Sequence, residues 1–229
     1  MIRQGRVSVD GERATIGQKV DPDHAAVEVD GVPLPVRPGL VYYLLYKPPG
    51  VISTASDTHG RSTVLDLVPD DVRVYPVGRL DADSEGLILL TNDGDLTNLV
   101  THPRFGVEKT YVALVEGVPN RGALVALRSG VGLEDGIARA VSARVTGQSG
   151  GRALVEIVMT EGRKREVRRM FTAVGHDVDR LVRTAIGPVR DQHLSSGEWR
   201  LLSFDEVRAL YSAASGSWDD GAVPEREVT

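Results

Sequence analysis

One stretch constrains this chain more than any other. Leu87-Ile88-Leu89-Leu90 follows the charged segment Arg79-Leu80-Asp81-Ala82-Asp83-Ser84-Glu85-Gly86 with no polar residue inside it. A strand that is apolar at every position is buried on both faces, so the loop before it is carried by a rigid scaffold. Such loops are where catalytic side chains are presented; a solvated acidic turn is the other reading these residues allow. Strand-like runs at 41–46, 72–77, 87–91, 111–116 and 153–160 alternate with shorter helical patterns, which argues an α+β fold.

Three helices are predicted with a mechanism. Ser203-Phe204-Asp205-Glu206 is a capping box that precedes Val207, Leu210 and Tyr211 on one face. Asn120 caps a helix carrying Leu124 and Leu127, which Gly130 ends. A third is expected over about 164–174, with Val167, Met170, Phe171 and Val174 at helical spacing and Gly175 just beyond. Before them, residues 5–31 alternate around two hairpin signals, Asp10-Gly11 and Asp30-Gly31, and read as a small β module. Pro33, Pro35 and Pro38 exclude a helix or a central strand and mark a linker. The expected division is a module at 1–36, a main domain at 40–213 and a disordered acidic tail at 214–229.

Composition removes several function classes. The 229 residues contain no cysteine, which excludes disulfides, thiolate metal sites and a cysteine nucleophile. The longest apolar run, 40–46, falls far short of the roughly 20 residues that span a bilayer, and the charged N-terminus has no secretory h-region, so a cytoplasmic protein is expected. Asp81, Asp83 and Glu85 mimic the start of a calcium loop, but Asn92 stands where an EF-hand needs its bidentate Glu and the flanks are strands. His24, His59, His102, His176 and His193 lack ligand spacing. The net charge of −5 argues against nucleic acid only on average, because charge is segregated. The tail is acidic, whereas residues 161–170 are strongly basic.

That basic segment reads as a solvated helix face or as a phosphate-binding face. At about 100° per residue, Arg169 lies almost opposite the apolar arc centred on Val167 and Val174, while Arg168 sits at its edge and can turn inward. Tyr111, near the start of a strand, and the forced turn Tyr46-Lys47-Pro48-Pro49-Gly50 are each uninformative alone.

Taken together and in order, KPPGVIST, GRLDADSEGLILLTNDGDL, HPRFGVEKTYVALVEG and EGRKREVRRMF resemble the motifs of the RsuA/RluB family of ribosomal RNA pseudouridine synthases. The later RLVRTAIGPV and GEWRLL are similar to its closing strands, so the resemblance runs from 43 to about 210. It implies a mixed, mainly antiparallel sheet with flanking helices, preceded by a β-rich fragment of an S4-type RNA-binding module. It also implies isomerisation of a specific uridine, in large-subunit rather than small-subunit RNA: the N1–C1′ bond breaks, the base turns, and C5 rejoins the sugar. No cofactor or metal is implied. The partner is ribosomal RNA or a ribosome-assembly intermediate, met by a monomer.

Carried over by residue, Asp81 corresponds to the catalytic aspartate, Arg79 to the arginine beside it and Tyr111 to the aromatic that contacts uracil. Arg168 corresponds to the arginine that pairs with the aspartate, and Leu181 to an apolar residue near the site. Lys47, Arg163, Lys164, Arg165 and Arg169 are the expected RNA contacts. These roles meet the physical demands. A stacked uracil must be flipped out at a cost of a few kcal/mol, and stacking on an aromatic ring returns about 1–3 kcal/mol. A guanidinium about 4 Å from a buried carboxylate returns about 4 kcal/mol at an effective dielectric near 20, roughly what burial costs. Arg168 is therefore expected to keep Asp81 charged.

Two departures stand out. The leading helices of an S4 module are missing, which puts the start codon upstream or leaves recognition to the catalytic domain. Glu166 occupies a position where relatives often carry Gln, which is expected to add negative charge near the RNA face. Two rival readings are a non-catalytic RNA-binding assembly factor and a glycoside hydrolase using Asp81 with Glu85.

Overall fold

The computed structural model describes residues 1–21, 25–34 and 39–215. The linker prolines Pro35 and Pro38 and nearly all of the expected acidic tail lie outside the described residues.

The alternating N-terminal segments form a four-stranded antiparallel sheet: β1 (Val7–Val9), β2 (Glu12–Arg13), β3 (Val27–Val29) and β4 (Val32–Leu34), in the order β2-β1-β3-β4. Its two tight turns are the Asp-Gly pairs. Asp10 and Gly11 (φ 53° and 82°) and Asp30 and Gly31 (φ 54° and 75°) supply the consecutive positive φ angles that a two-residue hairpin of right-handed twist requires. Pro33 lies in β4, which is an edge strand, the place in a sheet where a missing N–H is tolerated. This sheet rests on the C-terminal helix, where Arg208 lies 3.9 Å from Asp30.

The main domain is built in chain order from β5 (Tyr42–Lys47), β6 (Tyr75–Val77), β7 (Glu85–Thr91), α1 (Gly94–Thr101), β8 (Lys109–Glu116), α2 (Arg121–Ser129), the hairpin β9 (Val131–Leu133) and β10 (Gly136–Ala138), β11 (Ser142–Ser149), β12 (Arg152–Met159), α3 (Glu166–Ala173), β13 (Val178–Ile186), β14 (Val189–Arg190), β15 (Trp199–Leu201) and α4 (Phe204–Ser215). Its large sheet runs β11-β12-β8-β13-β7-β5-β15, with β6 on β7 and β14 on β13. All of these pairs are antiparallel except β7 beside β13. The architecture is thus α+β with a mixed, mainly antiparallel sheet and flanking helices.

β7 is buried at every residue, as its apolar run requires. Ile88 and Leu90 enter one core with Tyr43, Ala113 and the α3 residues Val167, Met170 and Phe171. Leu87 and Leu89 enter a second with Leu44, Leu96 and Val100 of α1, and Val207 and Leu210 of α4. Each such side chain contributes about 1.5–3 kcal/mol on burial, so β7 anchors both layers. Among the described residues no helix is long and apolar enough to cross a membrane.

Caps decide the helix ends. Asn120 accepts the Ala123 N–H at 2.9 Å, and the Gly130 N–H closes on Ala126 O, as expected for α2. Ser203 and Glu206 exchange N–H bonds at the start of α4. α3 begins two residues later than expected. Glu166 Oε2 accepts the Arg163 N–H at 3.0 Å, and Arg165 takes φ 51°, so residues 161–165 form a loop rather than a first helical turn. α1 was not anticipated, because Asn92-Asp93-Gly94-Asp95 reads as a turn. There Asp93 Oδ1 accepts the Asp95 and Leu96 N–H groups, while Oδ2 accepts the hydroxyls of Tyr42 and Tyr211, each at 2.7 Å.

Candidate active site

The loop between β6 and β7 is immobilised carbonyl by carbonyl. Leu80 O accepts the Ser53 hydroxyl at 3.0 Å, and Asp81 O accepts the Ser84 N–H at 3.0 Å. Ala82 O accepts the Gly50 N–H at 2.7 Å and Lys47 Nζ at 3.3 Å; Asp83 O accepts Arg168 Nη2 at 3.0 Å. Four successive backbone acceptors are thereby tied to five different partners, which fixes where the Asp81 side chain starts. Gly86 completes the arrangement. At φ 105° it lets β13 approach so closely that a Cβ there would lie 2.3 Å from Arg183 O.

Asp81 is half-buried and lines a cleft of about 310 Å³ together with Arg79, Tyr111, Leu181, the loop 161–165 and the start of α3. Tyr111 comes from β8 and Leu181 from the neighbouring β13, both in the first core. The structure therefore gathers Asp81, Arg79, Tyr111 and Leu181, which lie far apart in sequence, around one opening. Arg163, Lys164 and Arg165 line the same cleft, whereas Arg168, Arg169 and Lys47 do not.

Arg168 differs from expectation. It is buried and inward-turned, but its guanidinium bonds Val178 O at 2.8 Å and Asp83 O, and its Nε lies 3.5 Å from the Asp83 carboxylate. Among the described residues no cationic side chain comes within 4 Å of the Asp81 carboxylate. The reason is the turn at 81–84, which presents Asp83 to α3 and leaves Asp81 facing the cleft. Arg168 thus positions the loop rather than pairing with Asp81.

Lys47 also differs. It is 0% exposed and donates to Pro48 O at 2.9 Å, Val51 O at 2.6 Å and Ala82 O, because the Pro48-Pro49-Gly50 turn brings the first two carbonyls over its ammonium and the loop before β7 supplies the third. Burial pulls its pKa down to about 8, against the pull of Asp83, Glu85 and Asp81. It cannot reach RNA.

Three of the other expected RNA contacts carry partners of their own. Arg163 donates to Ile137 O at 2.7 Å and to Glu161; Arg165 meets Asp83 at 2.9 Å; Arg169 holds Asp135 through two bonds of 2.9 Å. Arg79 and Lys164 are exposed and, among the described residues, bond no other side chain. Exposed ion pairs are worth only about 0–1 kcal/mol, so phosphate can compete for these arginines. Asp135, at the tip of the β9–β10 hairpin, was not anticipated and has no local signature.

Glu166 differs from expectation in its placement: it is 4% exposed, lies 3.4 Å from the Arg163 guanidinium and so does not sit openly on an RNA-facing surface. Desolvation, the largest influence, raises its pKa, with Glu161 acting in the same direction. Glu85 is buried, receives Arg180 at 2.7 and 2.9 Å, and is held below the ordinary carboxylate range by that bond. Glu85 does not line the cleft that holds Asp81, so the two carboxylates do not flank one opening as the glycoside hydrolase reading requires.

Comparison with known proteins decides the class. A model of the family described as RNA pseudouridylate synthase matches residues 41–173, more than half of the chain. This chain belongs to the RNA pseudouridylate synthase family. It is 47% identical over 216 residues to an uncharacterized RNA pseudouridine synthase of Mycobacterium leprae, an alignment covering 92% of this chain and 84% of the relative. It is 40% identical over 218 residues to the ribosomal large subunit pseudouridine synthase B of Bacillus subtilis, covering 93% and 88%. A crystal structure of a pseudouridylate synthase superposes with a TM-score of 0.68 at 28% identity, covering 91% of this chain and 90% of that one. The protein is an RNA pseudouridine synthase, an isomerase acting on RNA.

Proposed function

We propose that this synthase isomerises a uridine of large-subunit ribosomal RNA, in the cytoplasm and as a monomer, with Asp81 as the catalytic carboxylate. The observation that carries the reading is the cleft itself. It joins one half-buried carboxylate on an immobilised loop to an aromatic wall, Tyr111, and an apolar wall, Leu181. The large-subunit assignment follows the name of the Bacillus subtilis relative.

The chemistry assigns each part a task. A uridine flipped from its stack enters the cleft, and its base lies against Tyr111 and Leu181, which exclude water. Asp81 acts on the nucleoside as the N1–C1′ bond breaks. The base turns within the cleft, C5 bonds to C1′, the C5 proton is lost and N1 gains one, so the reaction balances without an oxidant or reductant. Arg168 is a positioning residue that fixes the Asp81 loop through Asp83 O. Arg79, Lys164 and the arginines of loop 161–165 meet phosphates, which orients the RNA without reading bases. The N-terminal sheet serves as an S4-like RNA contact.

Pseudouridine mapping of both ribosomal RNAs, from cells with and without the gene and after incubation with purified protein, tests this. One large-subunit site that depends on the protein is expected. A small-subunit site overturns the target, and RNA binding without any new pseudouridine returns the assembly-factor reading.

A further inference from the structure

A second cavity of about 510 Å³ lies beside the catalytic cleft and shares Arg79, Tyr111, Glu161 and Arg163 with it. Its deeper wall carries two cations, Lys109 of β8 and Arg183 of β13. Lys109 donates to Val100 O at 2.8 Å. Arg183, only 4% exposed, donates through Nε to Leu87 O at 2.6 Å, and its Nη2 has no hydrogen-bond partner. Among the described residues neither cation makes an ion pair. The one carboxylate among the described residues of the cavity wall, Glu161, is already bound to Arg163.

Buried cations are ordinarily paired, and an unsatisfied guanidinium donor is costly. Two close together without a counter-ion repel each other, and burial together with Arg183 draws the Lys109 ammonium down to about 8. An anion entering the cavity between these two side chains would offset their repulsion. The anion that arrives with the substrate is a phosphodiester, one sugar away from the base that Tyr111 receives.

We propose that this cavity is a phosphate subsite, in which Lys109 and Arg183 bind the backbone phosphate adjacent to the flipped-out uridine while Tyr111 divides base from phosphate. The assignment of the phosphate to that nucleotide rests on the proposed function above. Lys109 and Arg183 stand on sheet strands at the side of the cavity that adjoins Tyr111, whereas Lys164 and Arg165 of the loop do not line it, so the subsite anchors the flipped nucleotide rather than the strand at large.

Two arms test it. In the first, inorganic phosphate is titrated at constant ionic strength while the Lys109 side-chain resonance is followed; a saturable shift is expected. In the second, RNA affinity is measured across a range of KCl for wild type, Lys109→Met and Lys109→Arg. Loss of one phosphate contact lowers the steepness of the log–log salt plot by about 0.7 for single-stranded RNA. That decrease is expected for Lys109→Met and not for Lys109→Arg. An unchanged slope in Lys109→Met overturns the proposal, and a phosphate shift with an unchanged slope makes the cavity a free-phosphate site instead. A shift and a lowered slope in a protein that forms no pseudouridine support the subsite and overturn only the uridine chemistry.

Discussion

Lys47 and Glu166 show how far burial can move a residue from the role its type suggests. Lys47 reads as a basic contact beside a turn, yet its ammonium is the hub of three backbone carbonyls. Lys47→Met should lower stability by about 1–3 kcal/mol, the cost of leaving buried acceptors unmet, without changing the salt dependence of RNA binding. Because its folded pKa of about 8 lies below the ordinary 10.5, the folded state binds fewer protons between those values. This group's contribution to stability therefore rises as pH climbs from about 8 toward 10.5, and the Met variant should lose that rise. Glu166 has the opposite sign. Its raised pKa contributes stability that is complete below 4.5 and is lost as pH rises through the folded value. Glu166→Gln, neutral throughout, should flatten that decline in urea unfolding measured from pH 4.5 upward.

Elements whose ends carry local chemistry were legible, and those set by distant contacts were not. The caps Asn120 and Ser203 with Glu206, the Asp-Gly hairpins and the fully apolar β7 each announce themselves within a few residues. α1 hides because its cap Asp93 is stabilised by Tyr42 and Tyr211, 51 and 118 residues away. The delayed start of α3 follows from the Glu166 bond to the Arg163 N–H, which no periodicity reveals. The parallel pairing of β7 with β13 was equally invisible, although it depends on one residue, Gly86. Gly86→Ala places a methyl 2.3 Å from Arg183 O at φ 105°. It should cost at least about 2 kcal/mol of unfolding free energy and lower catalytic activity, since the strand pair frames the cleft.

Across the whole molecule, which residues form the cleft was readable from motif order, while their pairing was not. Asp81, Arg79, Tyr111 and Leu181 meet at one opening, but Arg168 grips the loop through Asp83, since a helical wheel gives a side chain's direction and not its partner. The same holds for charge. A net charge of −5 and a basic segment give no hint that Asp135 neutralises Arg169 and shares Arg163. Asp135→Asn should release Arg169 and steepen the salt dependence of RNA binding by about 0.7, one additional phosphate contact. All of this converges on the carboxylate at the head of β7. Single-turnover pseudouridine formation at saturating RNA, with RNA affinity measured in parallel, should fall at least about 10²–10⁴-fold in Asp81→Asn while affinity stays close to that of wild type. Isomerisation at an undiminished rate by that variant would show that another group does the chemistry.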